Sequence, residues 1–386
     1  MQLQNFDVEH FMRNYWQQKP VVLRGGFPHF QDLISPDELA GLACEEEVES
    51  RLVYRREGQW QAETGPFFNY EHLGERGWTL IVQAVNHWSP EVAELVQAFA
   101  FIPKWRFDDV MISYSTPDGG VGPHIDLYDV FICQGSGRRR WRVGDRGNHR
   151  EFAAHPALLH TDVFDAIIDT ELLPGDVLYI PPGYPHDGVS LETSMSFSVG
   201  FRSKSARDMM SGLADYLIDQ QLGNSLISDP QRSIATQQGR ISHSDFALIR
   251  AQLQGILDDH NLIADFAACM LSKTKCQLDL QIPEDPYLKQ DILEQLQQTP
   301  LRRIGGLRCF YLDQTLELGA CYIDGERYVF GSDFCAAVVT LCDQELLSFD
   351  MLAPYLPANS ADTDAAKNKF LQCLCDWVNA AYWYFD

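Results

Sequence analysis

The 386-residue sequence shows no pattern that predicts export or insertion into a membrane. Its first residues, MQLQNFDVEHFM, contain Asp7 and Glu9 and no basic stretch followed by an apolar one, so no signal peptide is predicted. The longest apolar run, at residues 335–342, is far shorter than the roughly 20 residues that a membrane helix needs. These absences predict a cytoplasmic protein without membrane contact.

Paired cysteines and an excess of positive charge are also missing. The ten cysteines include no CxxC pair, which argues against disulfides and a zinc site and favours free thiols in a reducing compartment. Lysine and arginine number 30 against 54 aspartates and glutamates, which gives a net charge of −24. Such a surface repels nucleic-acid phosphates and attracts polybasic partners, although it can equally serve solubility alone.

Between residues 107 and 202, short apolar segments alternate with turns rich in glycine and proline. This pattern is typical of a jelly-roll sandwich or barrel. The predicted strands are 107–115, 127–133, 138–143, 176–180 and 195–202. The sequence QGSG at residues 134–137 predicts a hairpin that pairs the second strand with the third.

After residue 205 the apolar residues recur at helical spacing, which predicts amphipathic helices at 205–221 and 243–258. Residues 283–286 (PEDP) mark a linker into a C-terminal unit that includes a β-ribbon turning at residues 324–325. The second helix carries an apolar stripe, which could pack within one chain or across two. The stripe consists of Phe246, Ile249, Leu253, Ile256 and Leu257.

The segment GPHID places His124 and Asp126 two residues apart. On an extended strand, residues two apart project from one face, so both side chains can reach a common point. Imidazole and carboxylate are two of the three ligands in the 2-His-1-carboxylate site that binds Fe(II). The pair alone is a weak signal, because such a histidine is often only a core residue.

A third ligand strengthens this interpretation. The sequence PGDVLYIPPGYPH is a strand followed by a proline-rich turn that presents His186, and prolines and glycine restrict the conformations of this turn. The separation of 62 residues (186 − 124) suits two facing strands of one barrel. The alternative is a turn histidine without a ligand role. The sequence predicts a metal site formed by His124, Asp126 and His186.

A run of arginines follows at residues 138–142. Alternation along a strand places Arg139 with Trp141 on one face and Arg138 on the other. A buried guanidinium can bind a carboxylate through two parallel hydrogen bonds, so Arg139 beside the indole is the better candidate anchor for an acidic co-substrate. Parity alone does not show which face points inward. Ser113 and Ser115 on the strand 107–115 are candidate hydroxyl donors.

These motifs are similar to those of the JmjC-type 2-oxoglutarate oxygenases. The sequences GPHIDLYDVFICQGSGRRRWRVG, VQAVNHW and KPVVLRGGF more closely resemble the bacterial ribosomal oxygenases, which hydroxylate an arginine of a large-subunit ribosomal protein. The resemblance implies that His124, Asp126 and His186 bind Fe(II), and that 2-oxoglutarate and O2 are co-substrates. It also implies that Arg139 holds the distal carboxylate of 2-oxoglutarate, assisted by Ser115.

The resemblance covers nearly the whole chain and implies an α+β fold. A JmjC catalytic domain at 1–205 would contain a double-stranded β-helix, a cupin-like jelly-roll barrel, with its core at about 100–202. A helical dimerisation domain at 206–275 and a winged-helix-like domain at 276–386 would follow. The implied partners are a second copy of the chain and a basic ribosomal protein, and the implied reaction is hydroxylation of an arginine side chain on carbon.

Other functions stay open on the sequence alone. Many JmjC enzymes anchor 2-oxoglutarate with lysine, where this chain offers Arg139, and the zinc-binding cysteines of many histone demethylases are missing. The alternatives are a lysine demethylase or hydroxylase of another protein, a cupin metalloenzyme without 2-oxoglutarate, and a winged-helix DNA-binding regulator. The net charge of −12 over residues 206–386 opposes nucleic-acid binding, although Arg302, Arg303 and Arg308 form a local basic group.

Overall fold

The computed structural model describes residues 1–358 and 363–385, so the predicted domain end at residue 386 lies outside the described residues. The chain divides into two compact units near residues 203 and 204. The first unit also includes residues 276–279 and 304–306. The predicted boundaries at 205 and 275 stay predictions.

Two antiparallel sheets form the first unit, in the predicted jelly-roll arrangement. The strand order is β1-β12-β7-β14-β5-β4-β2-β3 in the larger sheet and β11-β8-β13-β6 in the smaller one, while β9 and β10 form a separate hairpin. The strands are β1 (Val21–Leu23), β2 (Ser50–Arg56), β3 (Gln59–Thr64), β4 (Trp78–Val82), β5 (Phe107–Ser115), β6 (His124–Ile125), β7 (Asp129–Gln134), β8 (Arg139–Gly144), β9 (Glu151–His155), β10 (Leu158–Thr161), β11 (Ala166–Leu172), β12 (Val177–Ile180), β13 (Pro185–Ser190) and β14 (Ser194–Phe201).

The predicted hairpin between β7 and β8 is wrong. Strand β7 pairs with β12 and β14 in the larger sheet, whereas β8 pairs with β11 and β13 in the smaller one. The turn between them bonds to its neighbour β14, because the amide of Gly135 donates to the carbonyl of Met195 at 2.9 Å. Gly137 has φ +71°, and a Cβ there would lie 2.1 Å from the carbonyl oxygen of Thr193. The glycines thus carry the chain from one sheet to the other.

Three helices cover the outer face of the larger sheet. They are α1 (Val8–Asn14), α2 (Pro36–Leu42) and α3 (Pro90–Val96). Helix α2 begins with a complete capping box, in which Ser35 and Glu38 exchange hydrogen bonds around Pro36. On β5, Val110 and Ile112 pack into this outer core, so the residues that alternate with them, such as Met111 and Ser113, face the barrel interior.

The second unit combines helices with two small antiparallel sheets, β19-β15-β20 and β16-β17-β18. Its elements are α4 (Ala206–Asp219), α5 (His243–Leu257), α6 (His260–Ser272), α7 (Lys289–Leu296), β15 (Leu301–Arg303), β16 (Cys309–Phe310), α8 (Asp313–Leu316), β17 (Ala320–Ile323), β18 (Glu326–Val329), α9 (Cys335–Asp343), β19 (Leu346–Leu347), α10 (Phe349–Leu352), α11 (Ala365–Asn379) and β20 (Trp383–Phe385). The predicted ribbon turn is confirmed, since Asp324 and Gly325 both have positive φ between β17 and β18.

Helix α6 packs on the second of these sheets. The carboxylate of Asp265 accepts hydrogen bonds from the Tyr322 hydroxyl and, at 2.8 Å, from the guanidinium of Arg327. Helix α5 differs, because none of its residues is buried in the single chain. Among the described helices, none is long and apolar enough to cross a membrane.

Candidate metal centre

The three predicted metal ligands converge on one point of the smaller sheet. His124 begins β6, Asp126 follows its end, and His186 lies on β13, where the ladder pairs it directly with His124. The two histidines are therefore on hydrogen-bonded neighbours and not, as predicted, on strands that face each other. Nε2 of His186 lies 3.5 Å and Nε2 of His124 lies 3.8 Å from Oδ2 of Asp126. One ligand atom from each residue lies within 4.8 Å of the others.

Backbone carbonyls fix the orientation of both imidazoles. Nδ1 of His124 lies 2.9 Å from the carbonyl oxygen of Gly122, and Nδ1 of His186 lies 3.0 Å from that of Tyr184. Because a carbonyl oxygen only accepts, each Nδ1 carries a proton, and Nε2 is the ring nitrogen left to bind a metal. Such outer contacts are how proteins set the tautomer of a metal-binding histidine.

The site sets the protonation states of the ligands in different directions. Burial opposes a charge on His186, but the nearby Asp126 outweighs it and raises the pKa of that imidazole. Burial, together with the nearby His186, lowers the pKa of His124 to about 4. Burial opposes ionisation of Asp126, but the two histidines outweigh it and lower its pKa to about 2. At neutral pH, His124 is therefore a neutral imidazole and Asp126 a carboxylate, which are the forms that bind a divalent cation.

Arg139 lies beneath this centre, at the start of β8. Its side chain is 5% exposed, and burial lowers the pKa of its guanidinium to about 10. Nη1 donates to the hydroxyls of Ser113 at 3.1 Å and Ser196 at 3.0 Å, and Nη2 donates to that of Ser115. Among residues 1–358 and 363–385, none accepts a hydrogen bond from Nε. No described carboxylate lies within ion-pair distance of Arg139, so its charge is buried without a counter-charge.

A cavity of about 220 Å³ joins the anchor to the metal ligands, and both the triad and Arg139 line it. Trp141 forms part of the wall between them and lies flat against Gly188, where a Cβ would come within 2.7 Å of the indole. Asp126 is the one acid among the described residues that line this cavity. Tyr128 also lines it.

Ser196 completes the anchor and is not identifiable from the motifs alone. The sequence Ser194-Met195-Ser196-Phe197-Ser198 carries a signal for it, because serines at alternate positions of a strand share one face. The pairing of β14 with β5 places Ser196 directly opposite Ser113. The hydroxyls of these two serines lie 2.9 Å apart.

Comparison with known proteins agrees with this geometry. Residues 94–209 match the JmjC domain family and residues 255–384 match the ROXA-like winged helix. The ribosomal protein uL16 3-hydroxylase of Escherichia coli is 42% identical over 97% of each chain. A probable ribosomal oxygenase of Haemophilus influenzae is 30% identical, over 96% of this chain and 94% of its own.

The same similarity extends to three dimensions. A solved structure of YcfD, a ribosomal oxygenase from Escherichia coli in complex with cobalt and 2-oxoglutarate, has a TM-score of 0.88 and 41% identity to this chain. The match covers 100% of this chain and 99% of that one. The fold is thus a JmjC cupin-like barrel followed by a helical segment and a winged helix, and the chain belongs to the ribosomal oxygenase family.

Proposed function

We propose that this protein is an Fe(II)- and 2-oxoglutarate-dependent oxygenase that hydroxylates an arginine side chain of a large-subunit ribosomal protein. In this proposal His124, Asp126 and His186 bind Fe(II), while Arg139 and Ser115 bind 2-oxoglutarate. The observation that carries it is the buried guanidinium of Arg139, which lies near the three metal ligands and pairs with no acid among the described residues.

Burial of a cation without a counter-charge costs several kcal/mol of folding free energy. A protein therefore retains such a cation where a bound ligand supplies the missing negative charge. The distal carboxylate of 2-oxoglutarate supplies the missing charge, and the Nε of Arg139 gives it a donor that the protein leaves unused. A cupin enzyme that works without an acidic co-substrate has no need of this cation. Fe(II), 2-oxoglutarate and O2 together supply the oxidation, and the chain binds them and excludes water.

Two groups near the cavity favour a cationic substrate side chain. Tyr128 hydrogen-bonds to Asp126, and the pKa of its hydroxyl is raised well above the ordinary value by burial and by the negative charges of Asp126 and Asp109. Asp109 lies two residues before Met111 on the strand face that looks into the barrel. We propose that Asp109 and Tyr128 bind the substrate guanidinium, which presents a side-chain carbon to the metal and leaves the arginine charged.

The relatives support this class of substrate, because the Escherichia coli protein is named as a 3-hydroxylase of ribosomal protein uL16. Ribosomal proteins are basic, so the charge of −24 also favours their approach at low ionic strength. We propose that the enzyme meets them in the cytoplasm.

Mass spectrometry of matched peptides tests the proposal. A basic peptide from the large-subunit protein should gain one oxygen on its arginine, and the same peptide with lysine there should react poorly, because lysine cannot fill a planar, bidentate site. Asp109→Asn should raise the KM for the peptide more than the KM for 2-oxoglutarate. Demethylation of a methyl-lysine peptide without oxygen on the arginine peptide would assign the enzyme to the demethylases instead.

We also propose a homodimer built through the helical segment. The apolar stripe on α5 is exposed in the single chain, with Phe246 at 61% and Leu253 at 59%. Exposed apolar faces of this kind mark interaction sites. Light scattering should give twice the mass of one chain, and Leu253→Asp should give the single mass. A single mass for the unchanged protein at micromolar concentration would contradict the dimer.

The basic residues of the C-terminal unit give little support to a DNA-binding regulator. Arg303 donates to the carbonyls of Leu341 and Cys342 at 3.2 and 3.1 Å, and Arg308 donates to that of Leu271 at 3.3 Å. These two guanidiniums are engaged within the chain. A groove-binding surface needs several that face outward together.

A further inference from the structure

The hairpin β9–β10 belongs to neither sheet of the barrel, yet it contributes a buried histidine to the candidate site. His160 is 3% exposed and lines the same cavity as His124. It is not one of the three ligands, and the proposed reaction gives it no role. Its neighbours in the structure explain why a polar ring is buried there.

Three successive backbone carbonyls lead to the ligand His124, and each accepts a hydrogen bond. The carbonyl of Val121 lies 2.8 Å from Nε2 of His160, and the carbonyl of Gly122 lies 2.9 Å from Nδ1 of His124. The carbonyl of Pro123 accepts from the amide of Thr161 at 2.9 Å. The hairpin therefore binds the carbonyls on both sides of the one that orients the ligand.

This arrangement fixes the proton positions on both rings. A carbonyl oxygen only accepts, so His160 carries its proton on Nε2 and His124 carries its own on Nδ1. The two accepting carbonyls belong to adjacent peptide units that share Gly122. Without the bond to His160 the φ angle of Gly122 is less restricted, and a change of that angle turns the second unit, with the acceptor that orients His124, relative to the first.

The contact leaves little room for such a rotation. Gly122 has φ +81°, and a Cβ there would lie 2.4 Å from Cε1 of His160, so the ring packs directly on the glycine backbone. The His160 ring is held in turn by Trp60, edge to face at 4.9 Å between ring centroids. The guanidinium of Arg55 lies 4.2 Å from the Trp60 ring centroid.

We propose that His160 is a positioning residue for the metal centre. Its Nε2–H holds the peptide unit between Val121 and Gly122, and so keeps the Gly122 carbonyl where it directs Nε2 of His124 towards the metal. The inference rests on the proposed function, because it takes His124 as a metal ligand. It adds to the metal centre a residue that lies outside both sheets, and metal binding tests it without a measurement of turnover.

Cobalt titration of the metal-free, full-length protein tests this role with two closely matched variants. His160→Gln keeps an N–H donor at about the distance of Nε2, whereas His160→Asn carries the same amide one methylene shorter and cannot reach the Val121 carbonyl. We expect the Asn variant to bind Co²⁺ roughly 10- to 100-fold more weakly than the unchanged protein, as is usual for outer-shell partners of a metal ligand. The Gln variant should bind close to normally.

His155→Asn on the same hairpin controls for general damage, because the His155 ring accepts a hydrogen bond from the nearby Ala157 amide and does not line the cavity in the described structure. Thermal unfolding of the metal-free forms shows whether each variant is folded. Nitrogen NMR of the unchanged protein adds a measurement that needs no variant, since His160 should appear as the Nε2–H tautomer and His124 as the Nδ1–H tautomer.

The outcomes separate this inference from the proposed function. Absence of cobalt binding by the unchanged protein would overturn both. Normal cobalt binding by all variants, or equal losses for Gln and Asn, would overturn the positioning role alone, since the donor would then not matter. An Nδ1–H tautomer on His160 would overturn it as well.

Discussion

The two faces of strand β8 place arginine side chains in opposite surroundings. On the outer face, Nε of Arg140 lies 2.7 Å from Oδ1 of Asp169, and Arg138 just before the strand lies 3.2 Å from Glu192. On the inner face, Arg139 is buried among three serine hydroxyls and pairs with no acid in the part of the chain that the structure describes. Because side chains alternate along a strand, arginines in these two surroundings occupy neighbouring positions.

The difference separates two kinds of arginine. Those on the outer face pair with acids of the chain, whereas Arg139 on the inner face is available to bind a ligand. An exposed arginine paired with an acid is already neutralised and contributes little, because water and salt screen the pair. A buried arginine held only by hydroxyls keeps its full charge for an incoming carboxylate. The inner face of the smaller sheet should therefore control catalysis, and the outer face should not.

Loss of a metal ligand on the inner side should have the largest effect. His124→Ala leaves two of three protein ligands, so we expect turnover and cobalt binding to fall below detection while the thermal midpoint of the metal-free protein stays close to normal. Coupled measurement of succinate formation and cobalt titration checks this. Full 2-oxoglutarate turnover by the purified variant would disprove the ligand assignment.

Removal of the buried cation should come next. Arg139→Ala should raise the 2-oxoglutarate concentration for half-maximal turnover by roughly 10- to 150-fold, since a charge-assisted hydrogen bond contributes about 1.5–3 kcal/mol. Arg138→Ala, one residue away on the outer side, is the matched control and should change it little. The reverse order would show that the inner face is not the anchor.

A smaller effect is expected from one hydroxyl of the anchor. Ser196→Ala removes one of the three oxygens around Arg139, so we expect the KM for 2-oxoglutarate to rise by roughly 2- to 12-fold. The kcat at saturating 2-oxoglutarate should stay the same. Ser194→Ala, whose hydroxyl bonds to Ser190 instead, is the control on the same strand. Equal effects of the two substitutions would contradict the specific role.

The outer face should give the smallest effect. Arg140→Ala removes a bidentate, solvent-exposed ion pair with Asp169. We expect unchanged kinetics and at most a slight fall in the thermal midpoint, which differential scanning fluorimetry can measure. A large rise in the KM for 2-oxoglutarate would remove the distinction between the two faces.

Local patterns predict the parts of this site that depend on a single strand. Alternation separates Arg139 from Arg138, and the spacing of His124 and Asp126 brings both to one point. The roles of Ser196 and His160 could not be assigned in this way, because they arise from partners far away in the chain; the alternating serines mark only the face of Ser196. Ser196 meets Arg139 only through the pairing of β14 with β5.

The same limit explains the wrong hairpin. The turn at residues 134–137 has the composition of a hairpin, but the strands on its two sides find better partners in different sheets. Local sequence sets the conformation of a turn, whereas competition among all strands decides which ones pair. The direct pairing of His124 with His186 could not be predicted from the sequence for the same reason.

The pairing of strand β1 has a consequence for folding during synthesis of the protein. Val21 lies opposite Tyr179, so β1 can join the sheet only after 158 further residues (179 − 21) have been synthesised. Contacts between residues so distant in the chain slow folding, because a long loop must close before any contact forms. During translation the N-terminal segment therefore stays unpaired until β12 has been synthesised. Its apolar residues are exposed during that time, and chaperones can bind them.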